Sequence, residues 1–156
     1  MKNNRVKAEK LYGIAHKKFK VKSDAALLKQ LEAACYAGKI AASAQGFAIM
    51  EQVSTDKNWN LPLGTIASIW REGCIIRSQF LDRIAAAFTA TGGRGNLLMA
   101  PEFVAMMKDT HLALRHVVAE AARNGSPVPA LSSALAYFDA YRQGRGTANL
   151  IQAQRD

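Results

Sequence analysis

From Asp24 to Thr55 the chain contains almost nothing that would stop a helix. Ser23-Asp24 supplies a start, because short oxygen-bearing side chains accept the unpaired N–H groups of a first helical turn. After it only Gly38 and Gly46 interrupt the pattern. Leu27, Leu28, Leu31, Cys35, Ile40, Ala44, Phe47, Ala48 and Val53 recur close to every 3.6 residues, the period of one buried helix face. Between them lies AlaGlyLysIleAlaAlaSerAlaGlnGlyPhe (37–47), a run of small residues around one lysine. Each glycine lowers helix propensity by about 1 kcal/mol relative to alanine. Small side chains also let a second backbone come near. A long central helix packed on several sides is the fold element this stretch specifies.

The remaining segments read as shorter helices arranged around it. Asp56 to Asn60 is a polar turn, and Pro62 suits the first turn of a helix over about 62–71, with Ile66, Ile69 and Trp70 turned to the core. Cys74-Ile75-Ile76 is a buried link into a helix over about 76–90. Thr91-Gly92-Gly93-Arg94-Gly95 is a loop. Pro101 opens a helical region to Asn124, with a possible break near Asp109, and Gly125 ends it. A helix over 130–143 follows, Gly144 and Gly146 break it, and Ala148 to Arg155 forms one more. Period-two clusters of Val, Ile and Thr are missing, so no strand is expected. The fold class is all-α, with six or seven helices around the long one at 24–55.

Hydrophobic residues make up 49% and charged residues 21% of the chain, as in ordinary globular domains. The longest uncharged run, Asn124 to Phe138, contains two prolines and cannot span a membrane. The N-terminus has no apolar segment behind its charges, so no secretory signal is expected, and Cys35 and Cys74 read as two buried reduced thiols of a cytoplasmic protein. The net charge of +9 is unevenly placed. Residues 1–22 hold eight Lys/Arg against Glu9, and the rest of the chain holds thirteen against eleven acids. Two units are therefore expected, a basic arm at 1–22 and a single helical domain at 23–156. The arm is either a polyanion-binding segment or, as is usual for a basic terminus, a solvated leader.

Chemistry-bearing patterns are sparse. The 91–95 glycines lie between helices, without the strand–turn–helix context of a nucleotide loop. His111 and His116 stand about 140° apart around a helix, and neither they nor His16 joins a set with metal-ligand spacing. No metal site and no catalytic residue is read from the chain. Ser132 and Ser133 have no nameable His/Asp partners, and the aromatic residues do not interleave with basic ones, which makes nucleic acid an improbable partner. Arg71 and Arg77 bracket the 72–76 link and suit pairing with acids or helix-end carbonyls better than a ligand. Arg155 is a natural anion binder at the end of the chain, because its planar fork matches phosphate or carboxylate oxygens.

Four strings carry a family likeness. TyrAlaGlyLysIleAlaAlaSerAlaGlnGlyPhe (36–47), TrpArgGluGlyCysIleIleArgSer (70–78), ValProAlaLeuSerSerAlaLeuAlaTyrPheAspAlaTyrArg (128–142) and AlaAsnLeuIleGlnAlaGlnArgAsp (148–156) resemble the C-terminal all-helical domain of 6-phosphogluconate dehydrogenase. The likeness runs in order from about Arg5 to Asp156. It implies an enzyme that oxidises 6-phosphogluconate with NADP and decarboxylates it to ribulose 5-phosphate, in the pentose phosphate pathway. It also implies that the cofactor's Rossmann domain and the catalytic lysine and glutamate belong to segments upstream of Met1. Lys39 does not match the catalytic lysine's motif. Arg155 matches the arginine that binds substrate phosphate in a neighbouring subunit's site, where a following TyrPheGlyAlaHis-like segment adds a histidine. Glu72 and Gly146-Thr147 depart from the family's usual small residue and Leu-Pro.

The resemblance covers approximately the second half of a duplicated helical domain. Such a half exposes the apolar face that met the other half, so a homodimer is expected, with helix 24–55 near its two-fold axis. The reading is a truncated homologue of the dehydrogenase that binds no cofactor itself, meets 6-phosphogluconate only in the full-length context and is inactive alone. The alternatives are a stand-alone helical dimerisation or regulatory module without catalysis, and a polyanion-binding protein using residues 1–22.

Overall fold

The computed structural model describes residues 2–13, 24–73, 78–146 and 148–155, and all its regular elements are helical. Asp24 starts the long helix α2 (Ala25–Lys57), its Oδ1 accepting the Leu27 N–H at 2.7 Å. No glycine stops α2 before Asn58, which takes a left-handed φ of 53°. Asn60, at φ 52°, completes the turn into α3 (Leu63–Gly73), and Ser54 Oγ inside α2 accepts the Leu61 N–H at 2.8 Å. Helix α4 (Phe80–Ala90) packs on α3. A short 3-10 turn, Leu97–Met99, is seeded by Asn96, whose side chain accepts the Leu98 N–H. Proline opens both α5 (Pro101–Arg123) and α6 (Pro129–Tyr141), and Gly125 at φ 65° separates them. Helix α7 (Ala148–Ala153) ends the described chain.

Alanine governs how α2 packs. Ala34, Ala37, Ala41 and Ala44 are fully buried, and α5 and α6 lie along the face they make. Gly38 lets α6 come close there: a Cβ would stand 2.6 Å from Leu131 Cδ2 of α6, and that side chain would have to turn aside. Larger groups close the core at the other end of α2, where Phe47 meets Trp70 and Phe88 at ring centroid distances of 5.4 and 5.1 Å. Phe80 and Phe103 meet edge to face at 5.7 Å, the favoured aromatic arrangement. Phe88, Phe103, Ile40, Leu63, Ile84 and Leu114 are the largest fully buried side chains.

Four sequence expectations need correction. Cys35 is exposed, not buried, and Leu28, Leu31 and Val53 are exposed as well. Their apolar pattern merges two lines on α2, an inner one built from alanines and an outer one of larger residues. Ile69 is 60% exposed, and Leu63 and Ala67 hold the inner face of α3 instead. Helix α5 passes Asp109 without a break. Part of the arm also forms a helix, α1 (Lys2–Tyr12), with no residue buried. Cys74, Ile75, Ile76, Arg77, His16 and the arm's other lysines at 17–22 lie outside the described residues.

Candidate functional site

Arg155 sits on the turn that closes α7, exposed, with its N–H donated to the Gln152 carbonyl at 2.9 Å. Leu150 and Ile151, in the turn before it, are 66% and 54% exposed. No ion pair to Arg155 forms among the described residues. Its guanidinium thus presents five N–H donors to solvent, the equipment for a bidentate oxyanion contact.

The other basic candidates are engaged within the fold. Arg71 Nε donates to Asp82 at 3.0 Å, and its Nη1 lies 3.4 Å from Glu72. The hydrogen bond to Asp82 raises its pKa above the ordinary arginine value. Lys39 donates to Ser78 Oγ at 2.8 Å and lies 4.8 Å over the Phe80 ring, a structural contact rather than a free base. Ser132 and Ser133 are exposed in the first turn of α6.

The sequence did not signal the densest polar cluster, because its members come from two helices. Arg115 on α5 grips Asp139 on α6 with both Nη atoms, and Arg142 Nε adds a contact at 3.1 Å. The Arg115 hydrogen bond holds the Asp139 carboxyl below the ordinary carboxylate range. Beside the cluster, His111 packs against Phe138 at 5.4 Å, and its Nδ1 is buried with no hydrogen-bond partner among the described residues. Burial lowers the His111 pKa, as do the charges of Arg142 and Arg115, while Asp139 opposes them. The arrangement joins α5 to α6 and has no nucleophile in it.

Two open clefts lie elsewhere on the surface. One, about 570 Å³, lies between the start of α3 and the end of α4 and includes Asn60, Thr65, Thr89 and Arg94. The other, about 510 Å³, runs between α2 and α5 beside Lys29, Glu32, Tyr36 and Thr110. Arg155 lines neither. The 91–95 loop follows a helix and leads into a 3-10 turn, so these residues do not make the strand–turn–helix phosphate grip of a dinucleotide site. Among the described residues no three of His, Cys, Asp and Glu gather as metal ligands would. No described helix is long and apolar enough to cross a membrane.

Comparison with known proteins identifies this architecture. The family described as "6-phosphogluconate dehydrogenase, C-terminal domain" matches residues 1–156. The decarboxylating 6-phosphogluconate dehydrogenase of Klebsiella pneumoniae is 49% identical over 132 residues, 85% of this chain and 28% of that protein. Its counterpart from Staphylococcus aureus is 50% identical over 129 residues, 83% of this chain and 28% of that protein. The Plasmodium falciparum 6-phosphogluconate dehydrogenase, solved in its apo form and in complexes with NADP+ and with 6-phosphogluconate, superposes with a TM-score of 0.90 at 39% identity. That match covers 99% of this chain and 33% of the parasite chain. The chain spans less than a third of the length of these two curated relatives, 28% in each case.

Proposed function

Because the chain belongs to the 6-phosphogluconate dehydrogenase family, through that family's C-terminal domain, we propose that it serves NADP-dependent oxidative decarboxylation of 6-phosphogluconate as a helical part of the enzyme. Its share of the work is dimerisation and capture of the substrate phosphate. Arg155 binds the phosphate, and no residue of this chain abstracts or donates the reacting protons or holds NADP. The observation that carries the reading is the unbroken family match over residues 1–156. The solvent-facing guanidinium at Arg155 supports the phosphate role. Exposed Leu28, Ile49, Ile69, Leu150 and Ile151 support association with another subunit, since large apolar side chains at the surface are ones a partner can cover. The setting in this reading is the cytoplasm.

A segment exchange tests it. Residues of this chain replace the matching segment of the Klebsiella pneumoniae enzyme, and NADP reduction is followed with 6-phosphogluconate. The reading expects the hybrid to turn over and the 156-residue chain alone to give none. Turnover by the chain alone, or a folded hybrid without activity, contradicts it. Static light scattering checks the subunit count, with a dimer expected at micromolar concentration.

A further inference from the structure

Where α2, α4 and α5 meet, two polar donors converge on one thioether. Tyr36 of α2 donates its hydroxyl to Met106 Sδ of α5 at 3.5 Å, and Arg83 Nη1 of α4 stands 4.0 Å from the same sulfur. A thioether is a weak acceptor. Among the described residues the Tyr36 hydroxyl makes no other hydrogen bond, and its ring is held edge to face on Phe80 at 5.8 Å. Arg83 is held in turn by Glu102, one turn before Met106, at 3.0 Å. Two strong donors are thus fixed in place around an atom that uses them poorly.

Oxidation changes that atom. A methionine sulfoxide is polar, and in an apolar core it disrupts packing. Met106 is half-buried at the edge of the core, neither sealed in as Met107 is nor as open as Met99. Hydrogen bonds to a thioether meet its lone pairs, and an oxidant attacks the same lone pairs. An oxygen added there stands a bond length nearer both donors, within reach of the Tyr36 hydroxyl and the Arg83 guanidinium. A hydrogen bond from a charged donor is among the stronger kinds. The Glu102 carboxylate opposes a partly negative oxygen nearby, and Arg83 already engages its charge.

We propose that Met106 is a site of oxidation by peroxide, its sulfoxide oxygen held by Tyr36 and Arg83. Hydrogen peroxide transfers one oxygen to the sulfur. The S–O bond forms, the O–O bond breaks and the second oxygen leaves as water. Sulfur gives up the two electrons that the peroxide gains. The sulfur becomes a stereocentre, and only one of its two configurations sets the oxygen against the donors. The joint of α5 with α2 and α4 therefore survives an oxidation that would loosen an ordinary core methionine.

Peroxide treatment of the 156-residue chain, followed by digestion and mass mapping, tests the site. Met99 is expected to convert first and Met106 next, while Met107 stays a thioether. Methionine sulfoxide reductases of the two types each act on one epimer. One type is expected to reduce nearly all of the Met106 sulfoxide in the digest and the other almost none, whereas the exposed Met99 sulfoxide is shared between them. The oxidised chain is expected to keep the Tm of its reduced form. Tyr36→Phe combined with Arg83→Ala is expected to lose about 4 °C or more on oxidation, the scale of a polar group left without its hydrogen bonds. Each protein is compared with its own reduced form, so the cost of the substitutions cancels, and Met106→Leu reports what oxidation elsewhere contributes. The epimer assay needs no variant. Met106 left intact when Met99 is fully converted, a near-equal mixture of epimers at Met106, or an equal Tm loss with and without the two donors overturns the assignment.

Discussion

Leu114→Ala probes the joint on which the helical domain depends. Leu114 is fully buried on α5, and its Cδ1 lies 3.8 Å from where a Cβ on Gly38 would stand. It packs beside the space that the missing side chain leaves, which Leu131 of α6 occupies more closely. Truncation removes three carbons from the fully buried layer where α5 packs on α2. Buried Leu→Ala changes cost about 2–5 kcal/mol, the higher values where the surroundings cannot collapse. We expect about 3 kcal/mol, a large share of the roughly 5–15 kcal/mol that stabilises a domain, and a fall in Tm of about 10 °C for a chain of this size. Leu112→Ala is the internal control, the same chemical change two residues away at a site 64% exposed. It is expected to stay within about 0.5 kcal/mol. Urea unfolding followed by far-UV circular dichroism, at equal protein concentration, measures both. A loss below about 1 kcal/mol at Leu114, or equal losses at the two positions, would refute the packing described for α5 on α2.

Two further perturbations follow from the same fold. His111 has a lowered pKa, so its neutral form is the one the fold prefers, and its contribution is present above pH 6.5 and lost as pH falls through the lowered value. Arg115 and Arg142 face it with like charge and Asp139 with opposite charge. His111→Gln is expected to flatten the fall in Tm between pH 7 and 5, and an unchanged slope would argue against this assignment. Asp24→Ala removes the acceptor of the Leu27 N–H and is expected to cost about 1 kcal/mol, read by the same urea titration, with Asp24→Asn recovering most of it.

Much of the fold was legible because its signals are local. The Asp24 start, the polar turn at 56–60, the proline opening of α5 and the Gly125 stop depend on residues within a turn of one another, and each appears where the sequence places it. Errors arose where burial had to be assigned. Leucine and cysteine on α2 look like core residues until the alanines are seen to occupy the inner face, and periodicity alone cannot show which of two apolar lines faces inward. Contacts between helices were not legible at all. Arg115 and Asp139 stand 24 residues apart, and nothing in either neighbourhood announces their pairing. The residue type marked Arg155 as an anion binder, but a phosphate role for it came only from the family motif around it. Its own helix is short and exposed, and no local pattern separates it from any other terminal arginine.

The proposed role, that this helical chain grips the substrate phosphate of a 6-phosphogluconate dehydrogenase through Arg155, is open to a direct test. The Michaelis constant for 6-phosphogluconate in the Klebsiella hybrid, with and without Arg155→Ala, tests it most directly. A hydrogen-bonded contact to a charged group contributes about 1.5–3 kcal/mol, so the variant should raise KM for 6-phosphogluconate about 10- to 150-fold and leave KM for NADP unchanged. An unaltered KM for 6-phosphogluconate in a folded, active hybrid would contradict the account.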